Sequence, residues 1–372
     1  MRVLFWSELF WPHIGGAEIG GLQLISGLRK RGHTFSVVTR QDDSSESTHQ
    51  EYQSTPIVRF PFWKSLAARK PEQLLKIRRD LIKFLRGFSP DLVHIHSLGP
   101  SSLFYIETAQ AYECPLLVTL TSHPPEILVG VQLFKRIVES ADWITAKSFS
   151  AVSRARDLVP DITPRSSVVY RGVSNDSVTS ESEPPLYPTI LCVGRLGKEK
   201  GFDLAIQALS CICSHFPEAR MVFAGHGPER DSLEKLTGLL GLTRNIKFLG
   251  WVIPERIPAL MRDATVVMIP SRRECLPRVA VEAAYLRKPV IGANVGGMAE
   301  VVIHGQTGIL VEPESPSKLA EAAVELLTNR ERASAMGMAA LHRAIPMFDL
   351  NRCIDAYHSI YEQLTLVRSG SG

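Results

Sequence analysis

Short apolar, β-branched runs alternate along this chain with stretches of helical periodicity, and the alternation occurs in two sets. The strand-like runs of the first set lie at residues 3–7, 35–39, 92–96, 116–120 and 168–170, and those of the second lie at 190–193, 221–224, 246–249, 266–269 and 289–291. Helical patterns fill the intervals, for example at 19–31, 72–87 and 126–140. Strands that alternate with helices form parallel sheets covered on both faces, so the sequence predicts two Rossmann-like, doubly wound α/β domains.

The boundary between the two domains falls in a segment without periodicity. Residues 180–188 contain three prolines and two glutamates, which is typical of a linker. We therefore predict one domain at 1–180, a linker at 181–188, a second domain at 189–345 and a last helix within 346–366 that returns to the first domain. Each doubly wound sheet should offer a ligand crevice at the carboxyl ends of its strands.

Composition narrows the class of protein. A chain with 45% hydrophobic and 22% charged residues is globular, and a net charge of +4 does not indicate a nucleic-acid partner. The six cysteines form no CxxC pair, which favours a reducing compartment over a disulfide framework or a structural zinc site. Residues 1–7 are expected to form a buried strand rather than a signal peptide, and no stretch approaches the length of a membrane span. We expect a cytoplasmic protein.

In each set, a glycine-bearing turn follows the first strand. Gly15 and Gly16 let backbone amides approach a phosphate at a helix start, although a plain tight turn needs the same glycines and is favoured by the pair alone. In the second set, the turn at 194–201 carries Arg195 and Lys200, which could clamp a diphosphate. A solvated basic turn is the alternative, and the sequence alone leaves the two balanced.

Two carboxylates eight residues apart form the most specific pattern. Glu274 precedes a helix that we predict to start near Pro277, and Glu282 lies within that helix. One carboxylate can accept hydrogen bonds from a sugar while the other accepts them from a ribose. Alternatively, Glu274 stabilises the helix dipole and Glu282 lies on the surface. Because Glu282 has apolar neighbours on both sides in sequence, a buried carboxylate there would need a partner.

These motifs, taken in order, resemble those of the retaining glycosyltransferases of family 4, over nearly the whole chain. The resemblance rests on the glycine loop at 15–18, the histidine-bearing segments at 91–96 and 119–123, the donor-domain turns at 194–201 and 225–228, the paired glutamates Glu274 and Glu282, and the late glycine loop at 296–300. It implies a GT-B fold, in which an acceptor-side domain and a donor domain face each other across a cleft.

The resemblance also implies roles for individual residues. Arg195 and Lys200 would bind the donor diphosphate, Glu274 the donor sugar and Glu282 the ribose. His123 would lie in the active site near the sugar. The remaining residues that match donor-binding segments are Gly15, Gly16, Cys275, Leu276 and Pro277.

Two residues depart from the family pattern. Pro277 stands where a glycine is usual, which removes a backbone N–H donor near the donor sugar or its phosphates. Arg171 stands where an asparagine is usual. Both departures concern donor contacts more than the class of reaction.

Metal ligands are scarce in the sequence. His94 and His96 share one strand face and could form a metal pair, but buried, hydrogen-bonded core histidines are favoured because no third ligand lies nearby. No Asp-x-Asp pair occurs, so we expect no metal and no cofactor. Arg195 and Lys200 would then neutralise the leaving diphosphate.

The resemblance implies transfer from a UDP-, GDP- or ADP-sugar to a hydroxyl of a sugar, lipid or small molecule, by front-face attack. Two other functions stay open: a nucleotide-sugar 2-epimerase on the same fold, and a non-catalytic nucleotide-sugar-binding protein. The basic stretch at 63–88 has helical apolar spacing and suits either an anionic membrane or, as favoured here, a core-packed helix with a solvated basic face.

Overall fold

The computed structural model describes residues 1–13, 15–43, 46–109, 112–123, 130–174 and 187–369. The chain divides into two compact units: unit 1 comprises Met1–Arg171 with Asn351–Gly372, and unit 2 comprises Gly172–Leu350. The chain therefore leaves unit 1 nine residues before the boundary predicted at 180 and re-enters it five residues after the boundary predicted at 345. Most of the predicted linker, 181–186, lies outside the described residues.

An eight-stranded sheet forms the centre of unit 1. Its strands are β1 (Arg2–Ser7), β2 (Thr34–Arg40), β3 (His49–Tyr52), β4 (Thr55–Phe60), β5 (Leu92–Ser97), β6 (Leu116–Leu120), β7 (Trp143–Ala146) and β8 (Ser166–Val168). Their order is β3-β4-β2-β1-β5-β6-β7-β8, and all neighbours are parallel except β3 and β4. The apolar runs of the sequence do not predict β3, β4 or β7, and they place the last strand at 168–170, two residues later than β8.

Helices cover this sheet. They are α1 (Gly16–Arg29), α2 (Phe62–Ala68), α3 (Pro71–Phe88), α4 (Ser102–Ala109), α5 (Gly130–Ser140), α6 (Phe149–Leu158) and, at the end of the chain, α14 (Leu350–Ser369). Ile354 of α14 lies so close to Gly27 of α1 that a Cβ at Gly27 would collide with it. Tyr361 of α14 bonds to His94 in the core. In the part of the chain that the structure describes, no helix is long and apolar enough to cross a membrane.

Unit 2 contains a fully parallel, six-stranded sheet. Its strands are β9 (Thr189–Val193), β10 (Arg220–Ala224), β11 (Ile246–Gly250), β12 (Val266–Ile269), β13 (Val290–Ala293) and β14 (Gly308–Val311). The helices are α7 (Phe202–His215), α8 (Arg230–Leu239), α9 (Ile257–Arg262), α10 (Arg278–Tyr285), α11 (Met298–Val301), α12 (Pro316–Thr328) and α13 (Arg330–Met347). The core packs α7 and α12 against the sheet through residues such as Ile206, Leu209, Ala323 and Leu326.

The strand order places one switch point in each unit. In unit 2 the order β11-β10-β9-β12-β13-β14 means that the chain moves to one side of β9 and then returns to its other side at β12. In unit 1 the same reversal lies between β1 and β5. Ligands of open α/β sheets bind where the strand order reverses, at the carboxyl ends of the strands. A ligand site is therefore expected at the loops after β9 and β12 and at those after β1 and β5.

Candidate functional site

The loops after β9 and β12 meet at the switch point of unit 2. Gly201 has φ 63°, and a Cβ there would strike the carbonyl oxygen of Pro270, so only glycine allows the two loops this close. Their contact brings the Lys200 Nζ to 2.6 Å from Glu274 Oε1. Ser271 Oγ donates to the same oxygen at 2.8 Å. Two residues singled out in the sequence, 74 positions apart, are therefore direct partners.

This pair combines burial with access. The Glu274 side chain is 10% exposed and the Lys200 side chain 27% exposed. An ammonium group has three N–H donors, so Lys200 can hold Glu274 and still bind an anionic group from solvent. The arrangement can bind a ligand that carries both hydroxyl groups and a negative charge.

Arg195 occupies a different position from the one expected for a paired clamp. Its side chain is 68% exposed and bonds to Glu199 at 2.8 Å, not to Glu274. Burial alone would raise the pKa of Glu199, but its backbone amide and Arg195 outweigh burial and lower it. Arg195 is thus held on the exposed side of the turn at 194–201 by Glu199, a carboxylate of the same turn.

Arg272 is a cation of this region that the sequence analysis missed. Its guanidinium bonds to both carboxylate oxygens of Asp203 at 2.8 Å and to Glu314 at 2.6 Å. It also donates to the carbonyl oxygen of Lys198 at 2.8 Å. The hydrogen bonds to Asp203 are the main reason that the pKa of Arg272 is raised. Arg272 fastens the loop after β12 to the turn before α7, and its distant partners gave no local signal in the sequence.

Glu282 lies in the second turn of α10. This helix begins at Arg278, with Pro277 as its N-cap, so the predicted start at Pro277 was one residue early. Arg278 Nε donates to Glu282 Oε1, which supplies the partner that a carboxylate among apolar neighbours needs. Cys275, Leu276 and Pro277 connect this helix to Glu274.

Two further glycine loops pack beside these residues. Leu196 N donates to His226 O at 3.0 Å, and a Cβ at Gly227 would strike the carbonyl oxygen of Leu196. Gly297 N donates to Glu274 O at 3.2 Å, which brings the late glycine loop at 296–300 to the paired glutamates. The motifs of unit 2 that are separate in sequence therefore converge at one edge of its sheet.

The glycine loop of unit 1 lies at the start of α1. Gly15 is the N-cap and provides no side-chain hydrogen bond, while Arg171 donates to the carbonyl oxygen of Gly16. The guanidinium of Arg171 also packs over Gly20, where a Cβ would approach its Cζ to 3.0 Å. Arg171, one of the two residues that depart from the family pattern, thus holds the first turn of this helix.

The three histidines singled out in unit 1 have different settings. His123 follows β6, and its Nε2 lies 3.5 Å from Ser150 Oγ; the residues after it, 124–129, are outside the described part. His94 bonds to Tyr361 and Thr119, both at 2.7 Å, and burial, with Lys147 nearby, lowers its pKa to about 3. His96 is buried and stacked on Phe5, and burial lowers its pKa as well. Among the described residues, no group of three or more His, Cys, Asp or Glu could hold a metal ion.

Comparison with known proteins agrees with this fold and these motifs. The model of Glycosyltransferase Family 4 matches residues 14–177, and that of Glycosyl transferases group 1 matches residues 176–343. An uncharacterized glycosyltransferase of Methanocaldococcus jannaschii is 27% identical over 98% of this chain and 99% of its own length.

Solved structures share the fold. The sucrose-phosphate synthase of Thermosynechococcus elongatus superposes with a TM-score of 0.84 at 21% identity, over 99% of this chain and 100% of that one. Anabaena HepE in complex with UDP and glucose superposes with a TM-score of 0.80 at 22% identity, over 98% of this chain and 100% of that one. The fold is the GT-B fold of glycosyltransferases. The chain belongs to the family-4, group 1 glycosyltransferases and is a sugar-transferring enzyme.

Proposed function

We propose that this enzyme transfers a sugar from a nucleotide-diphosphate sugar to an acceptor hydroxyl with retention of configuration and without a metal ion. The observation that carries the proposal is the Lys200–Glu274 pair at the switch point of unit 2. A donor sugar offers hydroxyl groups for Glu274, and its diphosphate offers anionic oxygens for Lys200. The solved complexes of HepE with UDP and with UDP-glucose support a donor of this class.

The other site residues take roles around this pair. Arg195, at the exposed rim, adds a second positive charge for the diphosphate, and Glu282 accepts hydrogen bonds from the ribose. The backbone of Cys275, Leu276 and Pro277 borders the donor sugar. We assign Gly15 and Gly16 to the donor phosphates, and His123 to the donor sugar, on the family resemblance alone.

The reaction can proceed on one face of the sugar. The bond between the anomeric carbon and the diphosphate oxygen breaks, and its electron pair stays with the diphosphate. The acceptor oxygen bonds to the anomeric carbon from the same face, and its proton passes to the departing phosphate oxygen. Lys200 and Arg195 stabilise the charge that grows on the diphosphate, which is the role a metal ion has in other transferases. The protein otherwise contributes positioning.

The test is a transfer assay with UDP-, GDP- and ADP-sugars and a panel of acceptors, followed by NMR of the product. We expect the anomeric configuration of the donor to be kept and the rate to be unchanged by EDTA. Inversion, or a loss of activity that Mg²⁺ or Mn²⁺ restores, would contradict the proposal in that respect. An epimerised nucleotide sugar would identify a 2-epimerase. Donor binding with neither transfer nor donor hydrolysis would identify a non-catalytic binding protein.

We also propose that unit 1 makes peripheral contact with an anionic membrane. Its basic surface consists of exposed cations on α2, α3 and the residues between them: Lys64, Arg69, Lys70, Lys76, Arg78, Arg79, Lys83 and Arg86. Ile77, Leu81 and Leu85 face the core, so packing accounts for most of the apolar side of α3, but Leu75 is 57% exposed beside the cations. Such a surface suits anionic lipids and a lipid-linked acceptor.

Cosedimentation with vesicles tests the membrane proposal. At low salt we expect binding to vesicles that contain anionic lipid and little binding to neutral ones, and the double variant Arg79→Glu, Lys83→Glu should reduce it. Equal recovery in the supernatant with both vesicle types would overturn it. All six cysteines lie among the described residues and none forms a disulfide, which fits the cytoplasmic location that we propose.

A further inference from the structure

Arg278 opens α10 and is bonded to Glu282 one turn further on. Its Nε donates to Glu282 Oε1, and the two side chains are only 22% and 19% exposed. Among the described residues, Glu282 is the one hydrogen-bond partner of the Arg278 side chain. One oxygen of the carboxylate is thus held by a side chain of its own helix, and Oε2 is left to accept other hydrogen bonds.

Helix physics does not account for this pair. A cation at the first position of a helix faces the positive end of the dipole, and an Arg that precedes its Glu by four residues is the weaker orientation of such pairs. Partly buried ion pairs also contribute little net stability, because both charges lose solvent. The chain has a second pair of this kind, Arg230–Glu234 on α8, but there Arg230 also lies over the ring of Phe248. Arg278 has no such packing contact among the described residues.

Glu274, the other glutamate of the motif, is also held through one carboxylate oxygen. Lys200 and Ser271 both donate to Oε1 of Glu274, so that carboxylate is also held by its neighbours through one oxygen. A carboxylate has about four lone-pair sites, so a donor on one oxygen restricts the movement of the group and leaves the other oxygen able to accept further hydrogen bonds. Held in this way, a carboxylate loses less side-chain entropy when a ligand binds.

We propose that Arg278 is a positioning residue for Glu282: it fixes the carboxylate in the orientation that accepts hydrogen bonds from the ribose hydroxyl groups of the donor nucleotide. The inference rests on the proposed function, which places the ribose at Glu282. Arg278 acts through Glu282 and does not contact the nucleotide. It therefore governs donor affinity, and the signature of its role is the dependence of that affinity on the ribose hydroxyl groups.

The experiment compares UDP and GDP with their 2′-deoxy and 3′-deoxy forms by calorimetry. The wild type should bind at least one ribose form about tenfold more tightly than a deoxy form, the scale of one hydrogen bond to a charged group. The deoxy penalty is the ratio of the Kd of the deoxy form to the Kd of the ribose form. In Arg278→Met we expect affinity for the ribose form to fall about three- to tenfold, while the deoxy penalty shrinks below about threefold. Arg278→Lys should restore much of the affinity for the ribose form and much of the deoxy penalty, because it keeps a cation beside Glu282. In transfer assays KM should rise far more than kcat falls.

Two further variants separate the possible outcomes. Lys318→Met breaks an exposed helical pair, Lys318–Glu321, and should leave affinity and the deoxy penalty unchanged. Glu282→Gln tests the underlying proposal: if it keeps the full deoxy penalty, or if the wild type binds no nucleoside diphosphate, the ribose assignment itself fails. If Glu282→Gln loses the penalty but Arg278→Met keeps it, the inference about Arg278 is overturned. A uniform loss of affinity in Arg278→Met with an unchanged penalty would mean direct contact with the ligand and would overturn it equally.

Discussion

Each of the two sheets has a glutamate at its switch point, and the two glutamates are held by different partners. In unit 1, Glu8 follows β1 and accepts hydrogen bonds from Ser101 N at 3.1 Å, Ser101 Oγ at 2.6 Å and the indole of Trp63. In unit 2, Glu274 follows β12 and accepts them from Lys200 and Ser271. Both side chains are buried to a similar degree, so burial does not distinguish them.

The partners distinguish them. A Cβ at Gly99 would strike the carboxylate of Glu8, so the loop after β5 closes over it. Its hydrogen-bond donors are neutral groups on two other segments, and Arg40 Nη1 lies 3.9 Å from Oε1 as an ion-pair partner. Glu274 instead accepts a direct hydrogen bond from a lysine that has donors to spare. A carboxylate beside the switch point thus fastens loops in unit 1, whereas the carboxylate beside the switch point of unit 2 is, in the proposed function, a binding group. The identity and freedom of the partner, more than topology or burial, indicate function.

Glu274→Gln gives the largest effect expected from this comparison. The change removes the charge that holds Lys200 and, in the proposed function, the anionic acceptor for sugar hydroxyls. A charge-assisted hydrogen bond contributes about 1.5–3 kcal/mol. We expect kcat/KM for transfer to fall by about one to two decades, with little change in the denaturation midpoint. Kinetics close to those of the wild type would remove Glu274 from the site.

Lys200→Ala should cost nearly as much. In the proposed function the ammonium binds a diphosphate whose charge grows as the glycosidic bond breaks, so turnover should fall more than affinity for the nucleoside diphosphate. Lys198, two residues away and exposed, is the matched control, and Lys198→Ala should change either quantity less than about twofold. Equal damage from both variants would mean that the basic turn has been misassigned.

Glu8→Gln should show the opposite balance. A glutamine places an NH₂ group where one of the donors to Glu8 now points, so at least one buried hydrogen bond to a charged acceptor is lost. We expect the free energy of unfolding to fall by about 1–3 kcal/mol in urea titrations. Transfer kinetics at a temperature where the variant is folded should stay within about threefold of the wild type. A large loss of kcat without loss of stability would make Glu8 part of the site and end the contrast.

The buried histidines predict a smaller, pH-dependent effect in unit 1. Burial is the main cause that lowers the pKa of His33 to about 4 and that of His94 to about 3. Above about pH 6.5, the ordinary pKa of histidine, these rings are largely neutral in both the folded and the unfolded chain, so they have little effect on the free energy of unfolding. As the pH falls below that value, the unfolded chain takes up protons that the folded chain does not, so stability decreases. Between pH 6.5 and 5 we expect a loss of about 1 kcal/mol per pH unit for each such histidine. A free energy of unfolding that is constant or rises as the pH falls over this interval would contradict the lowered pKa values of His33 and His94.

The sequence predicted the class of fold and the position of the unit 2 motifs in loops that follow strands, because strand periodicity and glycine turns are local signals. It missed β3, whose residues are mostly exposed at the sheet edge and lack apolar alternation. It could not show that Lys200 bonds to Glu274, or that Arg272 bonds to Asp203 and Glu314, because those contacts depend on how distant loops meet. The pairing of Arg278 with Glu282, by contrast, follows from their spacing of four residues on one helix and is a contact that the sequence could predict.

The central claim is that the switch point of unit 2 binds a nucleotide-diphosphate sugar, while that of unit 1 holds loops together. A thermal-shift titration with UDP-, GDP- and ADP-sugars tests it, since a ligand at about 100 times its Kd stabilises the folded state by about 2.7 kcal/mol. We expect at least one donor to raise the Tm of the wild type and, by a similar amount, that of Glu8→Gln. The same donor should give almost no rise with the double variant Lys200→Ala, Glu274→Gln. A full rise in the double variant, or no rise with any nucleotide sugar in the wild type, would contradict the claim.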